Sequence, residues 1–98
     1  MNRSRYRLTV KVCNERGLHA RAAARFVTLA ETFAAEIEVV RGDTSVPGRS
    51  IMGLMMLGAG PGTPLEIVTW GDQAEVALAA LSQLVEGGFE ENGASITI

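Results

Sequence analysis

Much of the chemistry open to proteins is scarce in this chain. Its 98 residues include one cysteine, one histidine, one tryptophan and one tyrosine. A lone Cys13 can close no internal disulfide, so a reducing cytoplasm is the expected setting. At a strand end it reads as a small buried hydrophobe rather than a nucleophile. With one histidine and no cysteine cluster to complete a ligand set, the case for metal binding is weak, and no metal is expected. No run of about 18 apolar residues exists, so no membrane insertion is expected. Lys and Arg number 9 against 11 Asp and Glu, for a formal net charge of −2. That leaves local arginines but no broad basic patch, and nucleic acid is not an expected partner. A Ser/His/Asp hydrolase is disfavoured by the lack of a nucleophile elbow. The glycines of GAGPGTP are followed by no Lys-Ser/Thr, which argues against a nucleotide site.

What is present suits one globular domain, with 47% hydrophobic and 20% charged residues. The basic opening MNRSRYRLTVKV runs straight into alternation and does not read as a signal peptide. Tyr6, Leu8, Val10 and Val12 alternate with Arg7, Thr9 and Lys11, which predicts a strand over residues 6–13 with one buried face. From Ala20 the period lengthens: Ala23, Phe26, Val27, Ala30, Phe33 and Ala34 form one stripe of a helix over 20–33. Ile37 and Val39 mark a second strand, Arg41-Gly42-Asp43 a turn, and Thr44-Ser45-Val46 a short third strand closed by Pro47. Ser50 is placed to cap a short helix over 51–57. Leu65, Ile67 and Thr69 mark the last strand. Asp72 with Glu75 resembles a capping box for a helix over 73–86, its stripe Ala77, Leu81 and Leu84, and Gly87-Gly88 stops it. Trp70, beside Gly71, reads as packing rather than binding. The order βαββαβα predicts a two-layer α+β domain, an open-faced sandwich with a four-stranded antiparallel sheet and three helices on one face.

The stretch NERGLHARAAARF sets the single imidazole, His19, at the mouth of the first helix. Unpaired N–H groups and the helix dipole there favour the neutral, nucleophilic ring. The same N–H groups, of Ala20 and Arg21, would form an anion site if the ring took up a phosphoryl group. Arg21 in the first turn opposes the dipole, which hints at an anion partner, and Arg16 lies just before the loop glycine, Gly17. A plain helix-capping or surface histidine fits these residues equally well.

The segment Asn14–Arg21, centred on Gly17-Leu18-His19-Ala20-Arg21, resembles the active-site motif of the histidine-containing phosphocarrier proteins (HPr) of the phosphoenolpyruvate-dependent phosphotransferase system. The segment Arg49-Ser50-Ile51-Met52-Gly53-Leu54-Met55-Met56-Leu57 resembles that family's regulatory-serine helix. Together with element order, the likeness covers roughly residues 5–90, so 1–90 is read as the phosphocarrier domain and 91–98 as a C-terminal tail. In that tail Ser95–Ile98 is open between a further strand and disorder.

The resemblance implies that His19 takes the phosphoryl group on Nδ1 from Enzyme I and passes it to an EIIA-type acceptor. Arg21 matches the phosphate-contacting arginine. Ser50 matches the serine modified by an HPr kinase/phosphorylase. Arg16, Ala20, Ala24, Ile51, Met52 and Met55 are the expected docking residues, with Leu54 and Leu57 in the core. Arg49 is left open between a kinase contact and a solvated side chain. No cofactor is implied, and the carrier is expected to be a cytoplasmic monomer without turnover of its own. A different reading makes it a regulatory module acting through phosphorylated Ser50 on a transcription factor or enzyme. One position departs from the family pattern: Ala22 stands where proline is common, leaving sugar transport and nitrogen control both open.

Overall fold

The structure, a computed structural model, describes residues 4–91. In chain order the elements are β1 (Tyr6–Lys11), α1 (Ala20–Ala30), β2 (Glu36–Arg41), β3 (Thr44–Pro47), α2 (Ile51–Met56), β4 (Pro64–Trp70) and α3 (Ala74–Glu86), followed by a 3-10 turn over Gly88–Glu90. The α+β class and element order are those the periodicity predicts. The strands form a four-stranded antiparallel sheet in the order β1-β4-β2-β3. Ile67 of β4 lies opposite Leu8 on one side and Val39 on the other, so apolar residues of three strands share a face. Against that face packs a core whose largest fully buried side chains include Phe26, Leu54, Leu65, Leu81 and Phe89. Each such residue contributes about 1.5–3 kcal/mol by leaving water. On the opposite face Arg7 pairs with Glu66, and the Arg5 guanidinium lies 3.9 Å from the Trp70 ring centre. Trp70, half-buried on this face, is covered by that guanidinium.

Several boundaries differ from the sequence reading for identifiable reasons. Strand β1 ends at Lys11, although Val12 still exchanges backbone hydrogen bonds with Gly62 and Thr63. Val12 takes the inward position, which leaves Cys13 exposed rather than buried, its thiol 3.2 Å from the Glu86 carbonyl. Leu8, on the edge strand, is 45% exposed. Helix α1 stops at Ala30, three residues short of 33, because Thr32 and Phe33 N–H turn back to the Leu29 and Ala30 carbonyls. Arg49 then closes that end, its Nη2 reaching the carbonyls of Ala30, Phe33 and Ala35 at 3.4, 3.0 and 2.8 Å. Arg49 is therefore a helix-end staple, neither merely solvated nor free. Arg41 does the same for α2, at 2.7 Å from the Leu57 carbonyl and 2.9 Å from that of Gly58.

The Asp72–Glu75 capping box does not form. Gln73 is the N-cap of α3 and makes no side-chain cap bond. Its Oε1 instead accepts from Ala34 N–H at 2.7 Å, and its own N–H donates to the Ala34 carbonyl, tying α3 to the α1–β2 connection. Beyond α3, Phe89 is wholly buried, so the chain after Gly87-Gly88 returns to the core. Residues 92–98, including the Ser95–Ile98 stretch, lie outside the described residues.

Candidate functional site

The loop between β1 and α1 carries the site, and its shape depends on two residues. Gly17 has φ +67°, and a Cβ there would lie 2.4 Å from the Ala59 carbonyl oxygen, so only glycine fits. That close approach lets Leu18 N–H bond Ala59 O at 2.9 Å, so the glycine-rich 58–63 loop buttresses the site. Asn14 is fully buried and donates from Nδ2 to Gly17 O at 2.8 Å, closing the loop on itself. Its Oδ1 has no partner.

His19 is the N-cap of α1, extended at φ −80° and ψ −178°. Its carbonyl accepts from Ala23 N–H at 2.8 Å. Its Nδ1 accepts from Arg21 N–H at 3.3 Å, a long bond that leaves the cap soft. The capping reading of His19 is thus what the structure shows. Arg16, Ala20 and Arg21 are exposed around the ring, Ala24 is half-buried, and Ala22 is fully buried.

A carboxylate that the sequence reading missed completes the site. Glu91 Oε2 contacts His19 Nε2, and Oε1 accepts from Asn14 Nδ2 at 2.9 Å. Burial works to raise the Glu91 carboxyl, but hydrogen bonds from Asn14 and His19, with the charge of Arg16 and that of the His19 ring whenever it is protonated, outweigh it and hold it below the ordinary glutamate range. A boundary drawn after residue 90 separates Glu91 from the domain it touches. The only hint in the sequence was Gly87-Gly88 followed at once by an apolar Phe89, the pattern of a helix end that folds back.

The second motif sits where α2 begins. Ser50 Oγ accepts from Gly53 N–H at 2.9 Å, so Ser50 is the expected N-cap, and it is half-buried. Leu54 and Leu57 are core residues. Ile51, Met52 and Met55 are exposed as expected, but Met56, left out of the docking set, is the most exposed of all at 77%, against 71% for Met52.

The family model described as PTS HPr component phosphorylation site matches residues 6–87. The chain belongs to the HPr phosphocarrier family. It is 46% identical over 85 residues to the phosphocarrier protein HPr of Pseudomonas aeruginosa, covering 86% of this chain and 94% of that one. To the phosphocarrier protein NPr of Shewanella violacea it is 42% identical over 82 residues, covering 84% and 90%. The crystal structure of HPr-C-His from Thermoanaerobacter tengcongensis superposes with a TM-score of 0.84 at 39% identity, covering 89% of this chain and 98% of that one. As an HPr-family member the chain is a carrier of the phosphotransferase system, and its fold is the open-faced sandwich of that family. Among the described residues no group of three or more potential metal ligands gathers, and no helix is long and apolar enough to cross a membrane.

Proposed function

We propose that His19 accepts a phosphoryl group on Nδ1 from Enzyme I, charged by phosphoenolpyruvate, and delivers it to an EIIA-type protein. The observation that carries this reading is the His19 cap, in which Nδ1 faces a backbone N–H at a helix start. A phosphoryl group on that nitrogen meets the first-turn N–H groups of Ala20 and Arg21, with the exposed cation of Arg21 beside them. Donor and acceptor dock in turn over the exposed surface made by Arg16, Ala20, Ala24, Ile51, Met52 and Met55, to which the exposure of Met56 adds a further side chain. Thioether side chains adapt to unlike partners, which a carrier must meet in succession. The carrier works as a cytoplasmic monomer without turnover of its own.

Ser50 serves as a second, regulatory site for an HPr kinase/phosphorylase. A phosphate there faces the start of α2 and adds about −1.5 to −2 charges beside Ile51 and Met52, hindering apolar docking without unfolding the helix. Relatives named HPr and NPr are both similar to the chain, and we leave its acceptor open to either sugar uptake or nitrogen control.

Incubation with Enzyme I and phosphoenolpyruvate tests the main reading. One acid-labile, base-stable phosphate is expected, abolished in His19→Ala and slowed in Arg21→Ala. No labelling by a cognate Enzyme I would sink it. ATP-dependent labelling lost in Ser50→Ala identifies the regulatory site separately.

A further inference from the structure

Two hydrogen bonds, one at each ring nitrogen of His19, constrain where its proton sits. The Arg21 backbone N–H can only donate, so Nδ1 must present a lone pair. At Nε2 the partner is the Glu91 carboxylate, held below the ordinary range and therefore ionised at neutral pH. An ionised carboxylate only accepts, so Nε2 carries the hydrogen. Both contacts demand the same neutral tautomer. A doubly protonated ring would set an Nδ1 hydrogen against the Arg21 N–H.

The carboxylate is held in place from several directions. Its second oxygen is bound by Asn14, which is fully buried and tied to the site loop through Gly17 O. The chain reaches it through three successive left-handed residues, Gly88 at φ 71°, Phe89 at φ 55° and Glu90 at φ 66°. For the two non-glycine residues this conformation costs about 1–2 kcal/mol each and persists only where the surroundings enforce it. Here the buried Phe89 ring enforces it, together with Arg25 Nη1, which donates to the Phe89 carbonyl at 2.5 Å. The unfavourable backbone seats Phe89 in the core and brings a carboxylate to Nε2.

We propose that Glu91 is a positioning residue for phosphoryl transfer, fixing the His19 ring as the Nε2–H tautomer so that the Nδ1 lone pair faces the incoming phosphorus. The inference rests on His19 being the phosphoryl acceptor. As the Nδ1 lone pair forms the N–P bond, the bond from phosphorus to the donor's leaving atom breaks, and its electron pair departs with the donor. The Nε2 hydrogen stays on the ring throughout, and the positive charge building there faces Glu91. In the onward step the N–P bond breaks, its electron pair returns to Nδ1, and neutral imidazole is left. No proton is consumed in either direction.

The chain has a single histidine, so imidazole ¹⁵N signals of the full-length protein report on His19 alone. The parent should show the Nε2–H tautomer, and Glu91→Ala a mixture of both. Glu91→Gln, which can turn its amide N–H toward Nε2, should also admit the second tautomer. Labelling by Enzyme I and phosphoenolpyruvate should slow about tenfold in Glu91→Ala, the order lost when an imidazole's orienting partner is removed. Part of its phosphate should appear on Nε2, a change in regiochemistry that a merely structural role would not produce. Retention of the pure Nε2–H tautomer in Glu91→Ala overturns the inference, whatever the labelling rate. An unlabelled parent chain would instead remove the carrier reading, while the tautomer measurement still decides the role of Glu91.

Discussion

Asn14 offers the sharpest test of how the site is held. Its side chain is buried, donates one hydrogen to Gly17 O at 2.8 Å and donates the other to Glu91 at 2.9 Å. Replacement by alanine deletes a neutral hydrogen bond worth about 1 kcal/mol and a charge-assisted one worth about 1.5–3 kcal/mol. Against this, Oδ1 is buried without a partner, and its removal relieves about 1 kcal/mol of desolvation. The net expectation for Asn14→Ala is a loss of about 1.5–3 kcal/mol. For a domain of this size that lowers Tm by roughly 6–24 °C. Asn14→Asp has the same shape but no donors, and it sets a second carboxylate against Glu91. It should therefore be destabilised further than Asn14→Ala at neutral pH, and the gap should close in acid. Thermal and urea unfolding followed by circular dichroism measure both. An Asn14→Ala protein within 0.5 kcal/mol of the parent, a margin typical of surface substitutions, would refute the claim that this side chain joins the loop to the C-terminal turn.

Three further expectations follow from the same geometry. Gly17→Ala places a methyl group against the Ala59 carbonyl in a left-handed conformation, so it should cost about 3 kcal/mol in urea unfolding, losing the Leu18–Ala59 bond as the loops part. Arg49→Met keeps the aliphatic stem but removes three bonds to carbonyls at the end of α1 and in the connection after it, and a loss of about 1.5–3 kcal/mol is expected; a neutral result would show those bonds to be worth no more than water. The carboxyl of Glu91 is lowered in the folded state, so its contribution is complete above the ordinary value of 4.5 and lost as pH falls through the lower folded value. The stability difference between parent and Glu91→Gln should accordingly vanish in acid, and a difference that persists well below 4.5 would contradict the assignment.

How far the sequence revealed the site depended on whether a pattern was local. The period-two and stripe signals in Tyr6–Val12 and Ala23–Ala30 report which side of one element is buried, and those elements formed. The Ser50 cap and the His19 helix start are likewise encoded within four residues of themselves. What escaped were contacts between segments distant in sequence. Glu91 approaches His19 across 72 positions, and nothing in GGFEE announces which side chain the turn will deliver. Asn14 stood inside the quoted motif, but its two acceptors are a loop carbonyl and that same remote carboxylate. The roles of Arg49, left open between a kinase contact and a solvated side chain, and of Arg41, read only as part of a turn, escaped because their targets are carbonyls, which have no signature in side-chain pattern. Cys13 was misjudged because Val12 takes the inward position beside it, and Leu8 because it lies on an edge strand.

The soft cap on α1 bears on what loading costs the carrier. Among described residues the Arg21 amide has its acceptor in the very nitrogen that we propose is phosphorylated. Putting phosphorus on Nδ1 removes that acceptor and in the same event supplies oxygen atoms to the same amide. The helix therefore begins with one satisfied donor in either state, and neither the empty nor the loaded form has to refold its first turn. A shuttle needs this evenness, because energy trapped in a conformational change at one stop is not available at the next. The 3.3 Å contact, poor as a helix cap, is easily surrendered, and an easily surrendered bond keeps the transfer potential in the N–P linkage.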